Sequence, residues 1–235
     1  MPNKQEEWLE KAIFEAHINF IDYNKFTDPI LIGIEDLGKF LNMSGGTLKL
    51  LRKVSNHPNV ISFYGVTKDV NGYYNMILQY ADDETLREYL EVNFTKLRWV
   101  DKLCTAKEIA LGILFLHDNN IIHRDLHSKN ILIHQGQPKI TDFGLSKQLN
   151  EMSMTSSSIV HGIPAYIEPK SFIDPKYKRD KRSDVYSFGV IFWEISSGRP
   201  PFQTFQSRDA HVIHIFQGNR EEPIEAKFPQ VIITI

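Results

Sequence analysis

Between Ile121 and Gly144 the chain sets Asp125, Asn130 and Asp142 into two short polar loops flanked by isoleucine-rich runs. An irregular loop holds a fixed shape only when packed elements on both sides satisfy its backbone and position its side chains. The rest of the chain supplies that frame in two unlike parts. Up to Tyr80 the pattern is mainly β-type: Ile30 to Ile34 is a short run, and Val60 to Val66 and Tyr73 to Tyr80 read as strands. Asn71-Gly72 between the last two predicts a type I′ turn, which needs positive φ at both central positions. Two helical patterns interrupt. Trp8, Leu9, Ala12, Ile13 and Ala16 fall three or four apart within residues 5–18, and Leu48, Leu51 and Val54 mark a second helix with Ser44 as its N-cap. From Glu84 onward the helices lengthen. One runs from Leu97 to His117, two short strands follow around Gln135-Gly136, and another helix runs from Asp184 to about Ser197, stopping at Gly198-Arg-Pro-Pro. Strands first and helices afterwards predict an α+β protein with two lobes. The expected division is a helical extension at 1–22, a small β-rich lobe at 23–80 and a larger helical lobe at 81–235.

Charge and composition exclude several classes. A net charge of −2 offers no basic excess to displace counterions, so no nucleic-acid partner is expected. Cys104 is the only cysteine, which rules out an internal disulfide and makes a reducing compartment the default. No apolar run approaches the ~20 residues of a membrane helix. The opening Met-Pro-Asn-Lys-Gln-Glu-Glu-Trp is too polar for a signal peptide. The expectation is a soluble, cytoplasmic protein with no membrane partner. His127, His134 and His161 lack metal-ligand spacing and read as loop residues.

The run Ile121-Ile-His-Arg-Asp-Leu-His-Ser-Lys-Asn130, followed by Ile140-Thr-Asp-Phe-Gly144, resembles the catalytic and metal-binding loops of the protein kinases. Ser183-Asp-Val-Tyr-Ser-Phe-Gly189 resembles the start of that family's large central helix, Gly162-Ile-Pro-Ala-Tyr166 its substrate-facing loop, and His57-Pro-Asn-Val60 the turn after its regulatory helix. These motifs occur in the family's order, and the resemblance covers roughly residues 23–222. It is strongest to the tyrosine-kinase-like branch and to fungal kinase-like proteins. The chemistry agrees. Phosphoryl transfer asks the protein for positioning and charge neutralisation rather than covalent help. By resemblance Asp125 orients a substrate hydroxyl and accepts its proton, and Lys129 places a positive charge near the transferred group. Asn130 and Asp142 are the Mg²⁺ ligands, hard oxygen donors suited to a metal bridging ATP phosphates. His123 and Phe143 are expected to stack in a buried spine, and Asp184 to accept backbone N–H groups of the catalytic loop. Arg124 is expected to meet a phosphate on Ser153, Thr155, Ser156, Ser157 or Ser158; a plain solvated serine-rich loop is the alternative. For the adenine, Leu78 holds the gatekeeper place, Gln79 and Ala81 offer backbone hydrogen bonds, and Leu132 forms the floor, with plain core the competing reading for the two leucines.

The chain also departs from that pattern. The phosphate-covering loop, of the form Gly-x-Gly-x-x-Gly-x-Val, reads Gly33-Ile-Glu-Asp-Leu-Gly38-Lys-Phe40. Gly33 and Gly38 remain, but Glu35 and Asp36 would repel a triphosphate. No Val-Ala-Ile-Lys stands anywhere in the chain, and the place of the partner glutamate falls on Thr47. The deficit against the family's spacing is roughly thirty residues. Lys39 is the nearby cation that could substitute. The Ala-Pro-Glu triplet reads Glu168-Pro169-Lys170, and after Pro223 the sequence ends in a β-prone apolar tail, an aggregation hazard if exposed. Three readings follow. One is an active kinase using ATP and Mg²⁺ on protein Ser/Thr hydroxyls, with Tyr the alternative. The second is a pseudokinase that binds signalling partners, and the third a fragment of an active kinase. Kinase ancestry with impaired activity is preferred.

Overall fold

The computed structural model describes residues 4–26, 45–82, 84–148, 162–174, 176–203 and 207–222. Helix α1 (Lys4–Phe14) is followed by a 3-10 turn at Tyr23–Lys25, and helix α2 (Gly45–Val54) by the antiparallel pair β1 (Phe63–Lys68) and β2 (Tyr74–Leu78). Helices α3 (Leu86–Asn93) and α4 (Trp99–Asp118) lead to β3 (Ile121–Ile122), to the hairpin β4 (Ile131–His134) and β5 (Gln137–Ile140), and to β6 (Lys147–Gln148), which returns to pair with β3. Helices α5 (Lys170–Ile173), α6 (Lys181–Ser197) and α7 (Arg208–Phe216) follow. The architecture is α+β, with small antiparallel sheets and a helical second part, as expected from the sequence.

The pair of positive-φ residues expected at Asn71-Gly72 stands instead in the second hairpin. At Asn71-Gly72 only Gly72 has positive φ, +84°. The loop instead closes as Gly72 N–H bonds Asp69 O at 3.0 Å and Asp69 N–H bonds Tyr73 O at 2.8 Å. The Asp69 carboxylate accepts from the N–H groups of Asn71 and Tyr73, and this side-chain bonding favours the longer loop over a two-residue turn. The positive-φ pair lies at Gln135 (+51°) and Gly136 (+75°), the two residues between β4 and β5. Asp82 offsets the strain at Gln135 by accepting its N–H at 3.0 Å, and this bond holds the Asp82 carboxyl below its ordinary pKa.

The described part of 1–22 packs directly onto the small β unit. Leu9, Ala12 and Ile18 are buried with Leu48, Val66 and Tyr74 in one apolar cluster. Asn19 O accepts from Val66 N–H and Ile21 N–H donates to Val66 O, both at 2.9 Å, so this segment adds a parallel edge beside β1. Gly65 permits the approach: a Cβ there would stand 2.3 Å from Asn19 O, on a backbone with φ +148°. The larger cluster joins Leu86 and Leu90 of α3, Ile109, Ile113 and Leu116 of α4, and Ile191 and Ile195 of α6 around Leu126 and Phe143. Each such side chain contributes about 1.5–3 kcal/mol on burial. Phe63 and Met76 touch both clusters and join the two parts.

Candidate active site

The polar loop after β3 is fixed from beneath by α6. Asp184, fully buried, accepts His123 N–H on Oδ2 and Arg124 N–H on Oδ1, each at 2.9 Å, and its Oδ2 lies 2.9 Å from His117 Nε2. A buried carboxylate is tolerable when several donors surround it. His123 continues the frame upward. Its Nε2 meets Thr141 O at 2.9 Å and its ring lies 5.1 Å from the buried Phe143 ring. The expectation for Asp184 corresponds to these contacts, while the His123 and Phe143 rings are buried together but tilted by 54° rather than stacked. Arg124 and Asp142 have left-handed backbones, φ +72° and +57°, which non-glycine residues keep only where the surroundings impose them.

Asn130 Nδ2–H donates to Asp125 O at 3.0 Å, and Thr141 N–H donates to Asn130 O at 3.0 Å. Asn130 is thereby bonded to the Asp125 backbone on one side and, on the other, to Thr141, the residue before Asp142. Asp142 is exposed, with its carboxylate capped by Gly144 N–H at 3.1 Å. Among the described residues no group of three or more His, Cys, Asp and Glu could hold a metal. A site of one carboxylate and one amide suits Mg²⁺, which keeps few protein ligands and takes the rest from water and phosphates. Gly162 closes over the site: a Cβ there would come 2.7 Å from Asp125 Oδ1.

Lys129 is exposed and faces Glu88 of α3, whose carboxyl is held down chiefly by its hydrogen bonds with Thr85 and less by Lys129. Leu78 and Leu132 are half-buried and pack against the main core; Gln79 N–H is taken by Ser62 O at 2.8 Å, and Ala81 is half-buried. Gly33, Gly38, Glu35, Asp36, Lys39, His161, the serines from Ser153 to Ser158 and the apolar tail lie outside the described residues. Arg124 is mostly buried beside Arg179, and burial followed by that neighbour lowers the basicity of its guanidinium. Arg179 Nη1 donates to Arg124 O at 2.8 Å, while Arg124 Nε is buried without a hydrogen-bond partner among the described residues.

Sequence reasoning missed a second buried network. Glu194 of α6 accepts Arg87 Nε–H and Ser128 Oγ–H on Oε1, both at 2.9 Å, and Tyr166 O–H on Oε2 at 2.5 Å. Arg87 Nη2–H also donates to Tyr166 OH at 2.6 Å, and burial beside Glu194 pushes the Tyr166 phenol far above its ordinary range. These bonds tie α3, the catalytic loop, the 3-10 turn Pro164–Tyr166 and α6 together. The signal was present: Glu194 is a lone carboxylate in the apolar run Val190 to Ile195. Glu168, two places before the substituted Lys170, accepts Tyr177 O–H at 2.6 Å and Ser183 Oγ–H at 2.8 Å.

Comparison with known proteins adds the family. The family model described as protein tyrosine and serine/threonine kinase matches residues 40–235. The chain belongs to this kinase family. Among curated kinases it is similar to the serine/threonine-protein kinase PrkC of Bacillus subtilis, 34% identical over 148 residues, 63% of this chain and 22% of that protein. The probable serine/threonine-protein kinase kinX of Dictyostelium discoideum is 34% identical over 167 residues, 71% of this chain and 14% of that kinase. A leaf rust 10 disease-resistance locus receptor-like protein kinase-like protein of Arabidopsis thaliana is 35% identical over 151 residues, 63% of this chain and 22% of that kinase. The chain thus matches less than a quarter of the length of each of these kinases. No described helix is long and apolar enough to cross a membrane.

Proposed function

We propose that this kinase-family chain transfers the γ-phosphoryl group of ATP to serine or threonine hydroxyls of proteins, with its nucleotide grip weakened. The observation that carries the reading is the pair of bonds at Asn130: its Nδ2–H donates to Asp125 O, and its own O accepts the N–H of Thr141, the residue before Asp142. Asp125 accepts the proton of the incoming hydroxyl. Asn130 and Asp142 are the residues to hold Mg²⁺, which would neutralise phosphate charge. Leu78 and Leu132 flank the adenine, and the Gln79 carbonyl and Ala81 N–H are its backbone partners. Lys129 reaches the phosphoryl group by turning away from Glu88. Gly33 and Gly38 are what remains of the loop over the phosphates, and Glu35 and Asp36 oppose it. Losing one charged phosphate contact costs about 1.5–3 kcal/mol, roughly ten- to a hundredfold in affinity. The absent Val-Ala-Ile-Lys lysine favours a second reading, a binding module without catalysis. Arg124 and Arg179 are the cations placed to receive a phosphate carried by the serine-rich loop.

The test is γ-phosphate transfer to a generic protein substrate by the wild-type chain, Asp125→Asn and Asp142→Asn, beside calorimetry of Mg·ATP. We expect transfer well below the ~1–100 s⁻¹ of working kinases, lost in both variants. Transfer unaffected by either substitution, or micromolar nucleotide affinity, contradicts the reading in its catalytic and its nucleotide part respectively.

A further inference from the structure

His127 has no part in the reading so far. Its side chain is only 10% exposed, and its backbone is extended, just ahead of the 3-10 turn Ser128–Asn130. The ring leans edge-on against Tyr166, with centroids 5.9 Å apart. Nε2 lies 3.8 Å from Asp125 Oδ1, and Nδ1 is buried with no hydrogen-bond partner among the described residues. Burial lowers the basicity of the ring more than the carboxylates of Asp125 and Asp142 raise it.

A neutral imidazole carries one N–H. On Nδ1 that proton would be a buried donor lacking an acceptor, which proteins tolerate less well than an unpaired acceptor. The proton therefore belongs on Nε2, facing Asp125. At 3.8 Å it is too far to bond Oδ1 directly. The gap instead has the width of one oxygen atom: an oxygen about 2.8 Å from each would subtend an angle of about 85°. Asp125 is 17% exposed, and Gly162 covers its Oδ1 from another side. An oxygen held in that gap would touch both Oδ1 and the imidazole.

We propose that His127 is a further residue of the acceptor site, its Nε2–H donating to the incoming serine or threonine oxygen while Asp125 Oδ1 accepts that hydroxyl's proton. The proposal rests on the phosphoryl-transfer reading above. The acceptor oxygen forms a bond to the γ-phosphorus, and the bond from that phosphorus to the β,γ-bridging oxygen of ATP breaks. The hydroxyl proton passes to Asp125, and His127 keeps its own. Two contacts to one oxygen fix its direction of approach, which is the positioning that this chemistry needs.

Two measurements on the full chain test it. Nitrogen-15 spectra near neutral pH should show His127 protonated on Nε2; protonation on Nδ1 overturns the proposal. In transfer assays, His127→Phe keeps the contact with Tyr166 but has no donor, and should lower kcat/KM for the protein acceptor roughly ten- to a hundredfold. His127→Gln keeps a donor and should stay within about threefold of wild type, with Mg·ATP affinity alike in both variants. A Gln variant as impaired as Phe would assign His127 to packing alone, and a Phe variant equal to wild type would also overturn the proposal. No transfer by the wild-type chain removes the phosphoryl-transfer reading and this proposal together, whereas active wild type with a failed rescue removes this proposal alone.

Discussion

The two parts of the molecule are held by different forces. Around β1 and β2 the contacts are apolar: Leu9, Ala12, Ile18, Leu48, Val66 and Tyr74 cluster, and a parallel edge from the N-terminal segment lies beside β1. Around the catalytic loop, the position of the backbone depends on two carboxylates of one helix, Asp184 and Glu194, buried to 0% and 1% exposure. Apolar contact is non-directional and fixes position loosely, whereas hydrogen bonds to buried charges fix it in direction as well. The part that must orient reacting atoms is the part built on charge. The part around β1 and β2 is built on contact.

That contrast can be broken most severely at Asp184. Asp184→Ala would leave His117 and the His123 and Arg124 N–H groups buried without their acceptor. At about 1–3 kcal/mol for each unsatisfied donor, we expect a loss of roughly 3–5 kcal/mol, read from urea unfolding. A change below 1 kcal/mol would mean that the apolar core alone holds the loop. Gly65→Ala tests the other part. The added methyl would meet Asn19 O on a backbone already at positive φ, so the N-terminal edge should detach at a cost of about 1–3 kcal/mol. Hydrogen exchange should then quicken at the Ile21 and Val66 amides, with the amides of His123 and Arg124 unchanged. Equal quickening at both places would show that the two parts unfold as one unit. The smallest effect is expected at Gln135, an exposed residue at φ +51°. Gln135→Gly relieves that strain and should raise stability by about 0.5 kcal/mol in the same urea experiment, since glycine's greater freedom in the unfolded chain offsets part of the gain.

The loop sequence from His123 to Asn130 and the helix pattern up to Ser197 were legible because their signals are local: motif spacing and a repeat of three or four residues. The turn at Asn71-Gly72 was misread because the deciding interaction, the Asp69 carboxylate folding over the loop, competes with a dipeptide preference without changing it. His127 and Arg87 were invisible for another reason. Their packing depends on partners far along the chain, Tyr166 for the first, Glu194 and Tyr166 for the second, and periodicity carries no information at that range. The packing of residues 9–18 onto Val66 was hidden in the same way, since a single apolar stripe does not say what it covers.

Asp82 has a mechanical consequence. Its carboxylate grips Gln135 N–H and His134 Nδ1 at the tip of the β4–β5 hairpin, while three residues earlier Gln79 N–H is fastened to Ser62 O. The chain that crosses between the two parts is thus held by a hydrogen bond at each end, and any bending of that crossing would fall on Tyr80 and Ala81. Leu132 belongs to the hairpin on the far side of that pivot, so a rocking of the β1–β2 unit would carry Leu78 with it and leave Leu132 in place. A nucleotide pocket between those two leucines would open and close like a jaw with one stationary plate.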